Sequence, residues 1–468
     1  MSGKPNILLI VADQLRTDVL SCYGNTICKT PHLDKLAYGG ARFDNAYTVA
    51  PVCSPARCSL LTGLYPHTHA IRLNTHIATR TSIGLDPATP TFSRVMQDSG
   101  GYDMHYLGKW HVNEELDPTH FGYDTWKNFR NSIPPEHLKD RTEIAFPNGA
   151  QLVNAVHVGE PEELWAYQMA REGERFLKER ENAGRPFFLR LDFIQPHFAN
   201  IVPKRFADMY ADEQFEPWPN FEESFEGKPA GHLRKLREWN LEGKDWSWWR
   251  QVVRMYYADV SYLDACCGIV LDALDSLSLK EDTIVIFTAD HADPTGMHRH
   301  FEKGGTMYDE VLRVPMIIRW PGVTKAGARH GQLVRNMDLC PTILSMAGQS
   351  PIPSIHARDM SGILTGRDPA WYDSVYSEYH GDVWGMYTQR MVRTKDWKYV
   401  YNPYDADELY DMVHDPYEMR NLAADPAYGQ KLQEMKARFL GWVDETQDVF
   451  TYDFVRRMLP DPVAPAFR

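Results

Sequence analysis

The 468-residue sequence predicts a layered α/β fold: a large, mostly parallel sheet sandwiched by helices, then a small C-terminal subdomain of antiparallel sheet and helix. Three observations predict it. Continuous apolar runs at 6–12, 186–193, 283–288 and 314–320 have the pattern of strands covered on both faces. Helical patterns alternate with these runs. Past about residue 366 the pattern changes to short strands, a turn and one amphipathic helix. The expected boundaries are 1–365 for the catalytic domain and 366–468 for the C-terminal subdomain with an extended tail.

The elements follow in order. The run 6–12 stops at Asp13-Gln14. Thr30-Pro31 opens a helix that closes at Gly39-Gly40, with Leu33 and Leu36 facing inward. In Cys53-Ser54-Pro55-Ala56-Arg57, Pro55 suits a first helical turn, Leu60 and Leu61 are buried, and Gly63 ends the helix. Thr89-Pro90 opens the next helix, closed by Gly100-Gly101, and a strand at 104–107 runs into Gly108-Lys109-Trp110-His111. Weak periodicity marks 117–159 as loop and insertion. A helix at 162–181 turns Leu164, Tyr167, Phe176 and Leu177 inward, and the strand 186–193 leads to His197. The stretch 203–244 is irregular, and 248–274 is the longest helical pattern. The strand 283–288 ends at Asp290-His291, and another follows at 314–320. In the last part, 389–395 and 397–401 pair antiparallel, 427–446 is a helix, and 460–468 is extended.

Composition bounds the function. Hydrophobic residues at 43% and charged residues at 24% are those of a globular chain. A formal net charge of −13 argues against general nucleic-acid binding, which needs a basic face. It leaves room for an anionic substrate wherever cations gather in a pocket. Seven scattered cysteines do not form a disulfide framework and point to a reducing compartment. The first apolar run is too short for a signal-peptide core, and no stretch is long and apolar enough to span a membrane. The expectation is a soluble cytoplasmic protein with no membrane and no nucleic-acid partner, and the sequence leaves room for a homo-oligomer.

The informative pattern is positional. Four apolar strands end in polar groups: Asp13-Gln14, Lys109 with His111, His197, and Asp290-His291. In an open α/β sheet, ligands bind at the carboxyl ends of the strands. If these strands are parallel neighbours, their ends meet in one crevice. Cys53, at a helix N-terminus with Arg57 one turn on, points into it. Each residue alone has a plainer reading: an N-cap aspartate, a structural histidine, a buried cysteine. Five coinciding make the plain reading untenable. Asp13, Gln14, Asp290 and His291 form a mostly hard donor set suited to Ca²⁺ or Mn²⁺, and less to Mg²⁺. Arg57, Lys109, His111, His197 and Lys303 supply the charge that a sulfate or phosphate-like ester needs.

Cys53-Ser54-Pro55-Ala56-Arg57 with Leu61-Thr62-Gly63 resembles the type I sulfatase signature, and the resemblance extends over nearly the whole chain. Leu107-Gly108-Lys109-Trp110-His111, Thr288-Ala289-Asp290-His291 with Lys303, and Leu409-Tyr410-Asp411 through Asn421-Leu422 resemble further family elements. The resemblance implies the alkaline phosphatase superfamily fold, one divalent metal at Asp13, Gln14, Asp290, His291 and residue 53, and conversion of Cys53 to formylglycine by a formylglycine-generating enzyme. It implies that the hydrated aldehyde attacks the ester. Arg57 and Lys109 would then hold the transferring group, His197 and Lys303 would serve the leaving oxygen, and His111 would be the base that frees sulfate. Three positions depart from the usual sulfatase pattern: Gln14, His291 and Ala292. The pairs Asp13-Gln14 and Asp290-His291 also resemble choline sulfatases and phosphonate monoester hydrolases, and Asn74 resembles a substrate-side residue of the latter. His298 is a further substrate-side candidate. The expected activity is hydrolysis of a small-molecule or saccharide sulfate monoester. The alternatives are a phosphonate monoester or phosphodiester hydrolase at the same site, and a non-catalytic binder of sulfated ligands.

Overall fold

The computed structural model describes residues 4–77, 83–129, 133–367, 370–383, 385–448 and 459. Its centre is β1 (Asn6–Ala12), whose seven residues are all buried because neighbours cover it on both faces. It pairs in parallel with β7 (Phe187–Asp192) on one side and β9 (Thr283–Ala289) on the other. Beyond β7 lies β3 (Asp103–Gly108), also parallel, then the short β4 (Thr125–Lys127). Beyond β9 the sheet continues through β10 (Met316–Arg319), β2 (Ala41–Tyr47) and β11 (Ala328–Arg335). Only β10 runs antiparallel to its neighbours, so the eight-stranded sheet is mixed but mostly parallel.

Helices cover the sheet. They include α1 (Pro31–Gly39), α2 (Cys53–Thr62), the single turn α3 (Pro66–His69), α4 (Phe92–Gly100) and α5 (Trp165–Arg180). Two short helices, α6 (Lys204–Asp208) and α7 (Ala230–Glu238), precede the 31-residue α8 (Trp246–Ser276). Every residue of α2 is buried, so this helix is a core element and not a surface one. Gly63 ends it with φ +70, as a left-handed C-cap. The cap of α4 is Thr91, which accepts from the Arg94 amide, two residues later than the pattern Thr89-Pro90 suggests.

Three expectations change, and one strand is new. The strand β2 is not legible as an apolar run, because Arg42, Asp44 and Asn45 interrupt it. The stretch 117–159 is not mainly loop: β5 (Leu138–Phe146) and β6 (Gly149–His157) form a hairpin, joined by β8 (Asn200–Pro203) in a separate three-stranded sheet. The stretch 203–244 holds α6 and α7. The inner face of α5 is Ala166, Met169, Ala170, Gly173 and Leu177, while Tyr167 and Phe176 are only partly covered. Small residues win there because α5 lies close against α8, and a Cβ on Gly173 would meet Val270 at 3.2 Å.

The C-terminal part is an antiparallel meander of β12 (Ser374–Asp382), β13 (Gly385–Thr394), β14 (Trp397–Tyr401) and β15 (Glu408–Asp411). The helix Gly429–Thr446 packs against it. Buried β12 joins it to the segment that follows β2: the Glu378 amide donates to the Val49 carbonyl at 2.9 Å, and the Ser377 hydroxyl to the Thr48 carbonyl at 2.7 Å. The expected extended tail at 460–468 lies outside the described residues. All seven cysteines are free and buried. Among the described residues, no helix is long and apolar enough to cross a membrane.

Candidate active site

The four strands whose ends carry the candidate residues, β9, β1, β7 and β3, are consecutive parallel neighbours. Their carboxyl ends therefore open on one side of the sheet, and α2 delivers Cys53 to the same point. Cys53 Sγ lies 3.1 Å from His291 Nε2, 3.6 Å from Lys109 Nζ and 3.7 Å from Asp13 Oδ1. Ligand atoms of Asp13, Cys53, Asp290 and His291 all lie within 4.8 Å of one another.

Arg57, fully buried, sits behind this group. Its Nε donates to Asp290 Oδ2 at 2.9 Å, one terminal nitrogen to Asp13 Oδ2 at 2.9 Å, and the other to Asp192 Oδ2 at 2.6 Å. The whole guanidinium fork is thus spent on three carboxylates. Asp192 is further held by Arg190 at 2.7 Å and Tyr106 at 2.7 Å. Lys109 Nζ bonds Asp13 Oδ2 at 2.6 Å. Burial raises the Asp13 carboxyl, but Lys109 and Arg57 outweigh it and hold the group well below its ordinary range. Lys109 can reach this point because Gly108 precedes it with φ +100, where a Cβ would fall 2.3 Å from the Asp192 carbonyl oxygen.

The donor set fits a divalent cation. His291 Nδ1 faces the Ala292 carbonyl at 3.0 Å, an acceptor only, so the proton sits on Nδ1 and Nε2 presents its lone pair beside Cys53. Asp290 Oδ1 accepts from the amides of Gln14 and His291 at 3.2 and 2.8 Å, which fixes its orientation. Gln14 stands in the left-handed region with φ +65. Its Oε1 accepts from Lys303 at 3.2 Å, and its Nε2 donates to Asp293. Asp293 is a carboxylate at this centre that sequence reasoning missed, although it lies only three residues past Asp290.

Above Cys53 is a cavity of about 290 Å³. Lys109, His111, His197, Lys303 and Asn74 line it together with Cys53. Lys303 Nζ lies 2.7 Å from His197 Nε2, so that nitrogen accepts, and Nδ1 donates to the Phe198 carbonyl at 2.5 Å. Burial and then Lys303 push the His197 imidazole well below its usual range, and burial and then Lys109 do the same for His111. Both are neutral at pH 7. His111 Nε2 meets His76 Nδ1 at 2.9 Å, while its Nδ1 has no partner among the described residues. Burial, then the Asp13 charge, push the Cys53 thiol up to about 12. Asn74 Oδ1 accepts from the Ser54 amide at 3.0 Å, which ties the first turn of α2 to the cavity wall.

Two candidates sit elsewhere than expected. Arg57 faces its carboxylates and not the cavity, so it acts through Asp13 and Asp290. His298 does not line the cavity. It is buried, stacked on Tyr308 with ring centroids 3.8 Å apart, and bonded to Glu223 at 3.0 Å, a partner that draws it inward. The cavity wall also includes His76, Phe198, Trp239, Glu302, Asp382 and Val383, none of which stood at a strand end in the sequence. They come from loops and from the edge of β12, where periodicity carries no signal. Trp384 lies outside the described residues.

With this geometry in place, comparison with known proteins gives a consistent picture. The profile of the family described as Sulfatase matches residues 5–349, and that described as N-sulphoglucosamine sulphohydrolase, C-terminal, matches 296–444. The chain is similar to the sulfatase YidJ of Escherichia coli (strain K12), 29% identical over 460 residues covering 96% of this chain and 88% of the relative. YidJ is itself described as an uncharacterized sulfatase, and the chain is also similar to an ulvan-active sulfatase of Formosa agariphila, 28% identical over 471 residues covering 96% and 82%. In fold it resembles a phosphonate monoester hydrolase from Silicibacter pomeroyi, with a TM-score of 0.80 at 21% identity, covering 96% of this chain and 97% of the other. With one family profile spanning most of its length, this protein belongs to the sulfatase family and is an enzyme of that family.

Proposed function

We propose that the enzyme hydrolyses an organic sulfate monoester in the Cys53 cavity, with Cys53 matured to formylglycine by a generating enzyme and one divalent ion held at Asp13, Gln14, Asp290 and His291. The observation that carries this reading is the meeting of Cys53 with Asp13, His291 and Lys109 at the floor of a cavity whose walls bear Lys303, His197 and His111. Formylglycine would supply the nucleophile as a hydrated aldehyde. When bound, Ca²⁺, Mn²⁺ or, as the poorest fit, Mg²⁺ would supply Lewis-acid charge at the same point.

The chain's own residues supply the rest. Lys109, between Asp13 and residue 53, neutralises charge at the nucleophile and orients it. Arg57 is a positioning residue that locks Asp13 and Asp290 in place through its buried fork. Lys303 and His197, joined at 2.7 Å, hold a proton opposite the leaving oxygen. His111 is neutral, and its Nδ1 is the nitrogen left to take the proton released when sulfate departs. Phe198 and Trp239 form an apolar side of the leaving-group space, and Glu302 and Asp382 an acidic one. That combination suits a leaving alcohol bearing a ring and further hydroxyls, or a cation, as in small-molecule and saccharide sulfates. The names of the relatives support the sulfate reading.

The test compares kcat/KM on an aryl sulfate and an aryl phosphonate monoester, alongside mass spectrometry of the Cys53 peptide. The expected result is an aldehyde at residue 53 and a preference for the sulfate. Cys53→Ala should keep its melting temperature and lose at least about 1,000-fold in kcat. Substantial turnover by pure Cys53→Ala protein would sink the scheme. Preference for the phosphonate would move the assignment to the second reading, which Asn74 on the cavity wall favours. An unmodified thiol in native-source material would point to a binder of sulfated ligands.

A further inference from the structure

Outside the Cys53 cavity, a second cluster of metal-binding side chains lies at the base of the β5–β6 hairpin. His137 ends the turn Pro135–His137 just before β5, His157 ends β6, and Glu163 ends the turn Pro161–Glu163 just before α5. We propose that His137, His157 and Glu163 form a second divalent-cation site, of the zinc type, that staples this hairpin to the start of α5.

Three features of the geometry point there. Two imidazole nitrogens converge on one oxygen atom: His137 Nδ1 and His157 Nε2 each lie 2.8 Å from Glu163 Oε2. The ligand atoms of the three residues lie within 4.8 Å of one another, and the two nitrogens need only spread slightly from the Glu163 oxygen, to the roughly 3.3 Å that separates ligand atoms around a tetrahedral cation, for one to enter between them. The backbone at Gly159 comes so close to the meeting point that a side chain there would displace the ligand atoms. A Cβ on Gly159 would fall 2.4 Å from both His137 Nδ1 and Glu163 Oε2. Lastly, no lysine or arginine among the described residues pairs with Glu163, whose ion-pair partners are these two histidines.

The donor set selects the ion. Two imidazoles and one carboxylate suit Zn²⁺ with a water in the fourth position, unlike the oxygen-rich centre at Asp13 and Asp290. The His157 side chain is 1% exposed, while those of His137 and Glu163 are 33% and 23% exposed, so the cluster has a buried back and an open front for that water. The role is structural. His157 pairs with Pro203 of β8, the strand that follows His197 and Phe198 in the chain, so a bound cation would brace the small three-stranded sheet.

The test uses the full-length protein, stripped with a chelator and titrated with Co²⁺ and then Zn²⁺. The wild type should develop the strong visible absorption of four-coordinate Co²⁺. Asp290→Asn, which disables the other centre, should retain it. His137→Ala and Gly159→Ala should lose it, with at least about a 100-fold weaker affinity for Zn²⁺ at this site. Zn²⁺ should raise the melting temperature of the wild type and not that of His137→Ala. Gly159→Ala removes no ligand, and His137 is part-exposed, so a misfolded variant of one is checked by the other. Equal Co²⁺ spectra and Zn²⁺ uptake in the wild type and both variants would overturn the site and leave an ordinary histidine–carboxylate pair.

Discussion

Arg57 shows how much of the candidate active site rests on one buried side chain. It satisfies Asp13, Asp192 and Asp290 at once, and all four groups are shut off from water. Asp192 keeps Arg190 and Asp13 keeps Lys109 if Arg57 is removed, but Asp290 loses the cation that pairs with it at 2.9 Å. Breaking a buried pair on one side costs about 3–5 kcal/mol, because the other charge stays buried without compensation. Arg57→Ala should therefore lower the melting temperature by about 3–5 °C, taking about 2.1 cal/mol/K per residue as the unfolding entropy. Arg57→Lys keeps the charge but not the fork, and should fall between the two. Differential scanning calorimetry checks both. A melting temperature for Arg57→Ala within about 1 °C of wild type would mean that the three carboxylates are not charged together in the folded protein. The position of Arg57 one turn into the Cys53 helix was legible in the sequence, but its partners were not. Asp192 reads there as an interior residue of an apolar strand, and nothing local shows that its side chain faces α2.

At the scale of elements, the strands that end in functional groups were legible because complete burial leaves an unbroken apolar run. Elements with one wet face were not: β2 carries Arg42, Asp44 and Asn45, and β5 carries Lys139, Asp140, Arg141, Thr142 and Glu143 in a row. Contacts between elements lie further out of reach. The turn α3 is joined to β12 by His67 and Glu378, whose atoms lie 3.1 Å apart, while His67 Nε2 meets the Thr446 carbonyl at 2.9 Å. Both ring nitrogens thus face acceptors, which suits an imidazolium. Glu378 is also faced by His380 at 3.1 Å and Arg390 at 3.6 Å, and Asp448 takes the other side of Arg390. Burial opposes both charges. Even so, Glu378 raises the His67 value above 6.5, and His67 and His380 hold Glu378 well below 4.5. The contribution of His67 is complete below its unfolded value and fades as pH rises through the elevated one. That of Glu378 is complete above its unfolded value and fades as pH falls through the depressed one. The joint should therefore be strongest between about pH 4.5 and 6.5. Comparing melting temperatures of wild type and His67→Gln across this range, the gap should be widest inside the window and shrink above it. A gap that grows above pH 7 would contradict the assignment.

For the whole molecule, the decisive property is that residues from distant parts of the chain close one centre. Asp13 and Cys53 come from the first tenth or so of the sequence, and Asp290 and His291 from beyond its middle, yet their ligand atoms share a space under 5 Å across. The sequence showed the residues and the strand ends, and the parallel order β9-β1-β7-β3 explains why they meet. It could not show the cavity's leaving-group side, since His76, Trp239, Glu302 and Asp382 reach it from loops and a sheet edge. Such a centre couples cation binding to global stability. Asp13 and Asp290 follow neighbouring strands, so a cation held between them would bind the folded state alone. At a concentration of about 100 times its dissociation constant, the stabilisation is about 2.7 kcal/mol. For a chain of this length that amounts to about 3 °C in melting temperature. Adding Ca²⁺ or Mn²⁺ to chelator-stripped protein should produce this rise in the wild type and in His137→Ala, and should restore sulfatase activity in parallel. Asp290→Asn should show neither effect, because it removes a ligand carboxylate while leaving the fold's packing intact. If Ca²⁺ and Mn²⁺ shift the melting of Asp290→Asn as much as that of the wild type, the stabilising cation binds elsewhere on the molecule, and the Asp13–Asp290 centre is not its site.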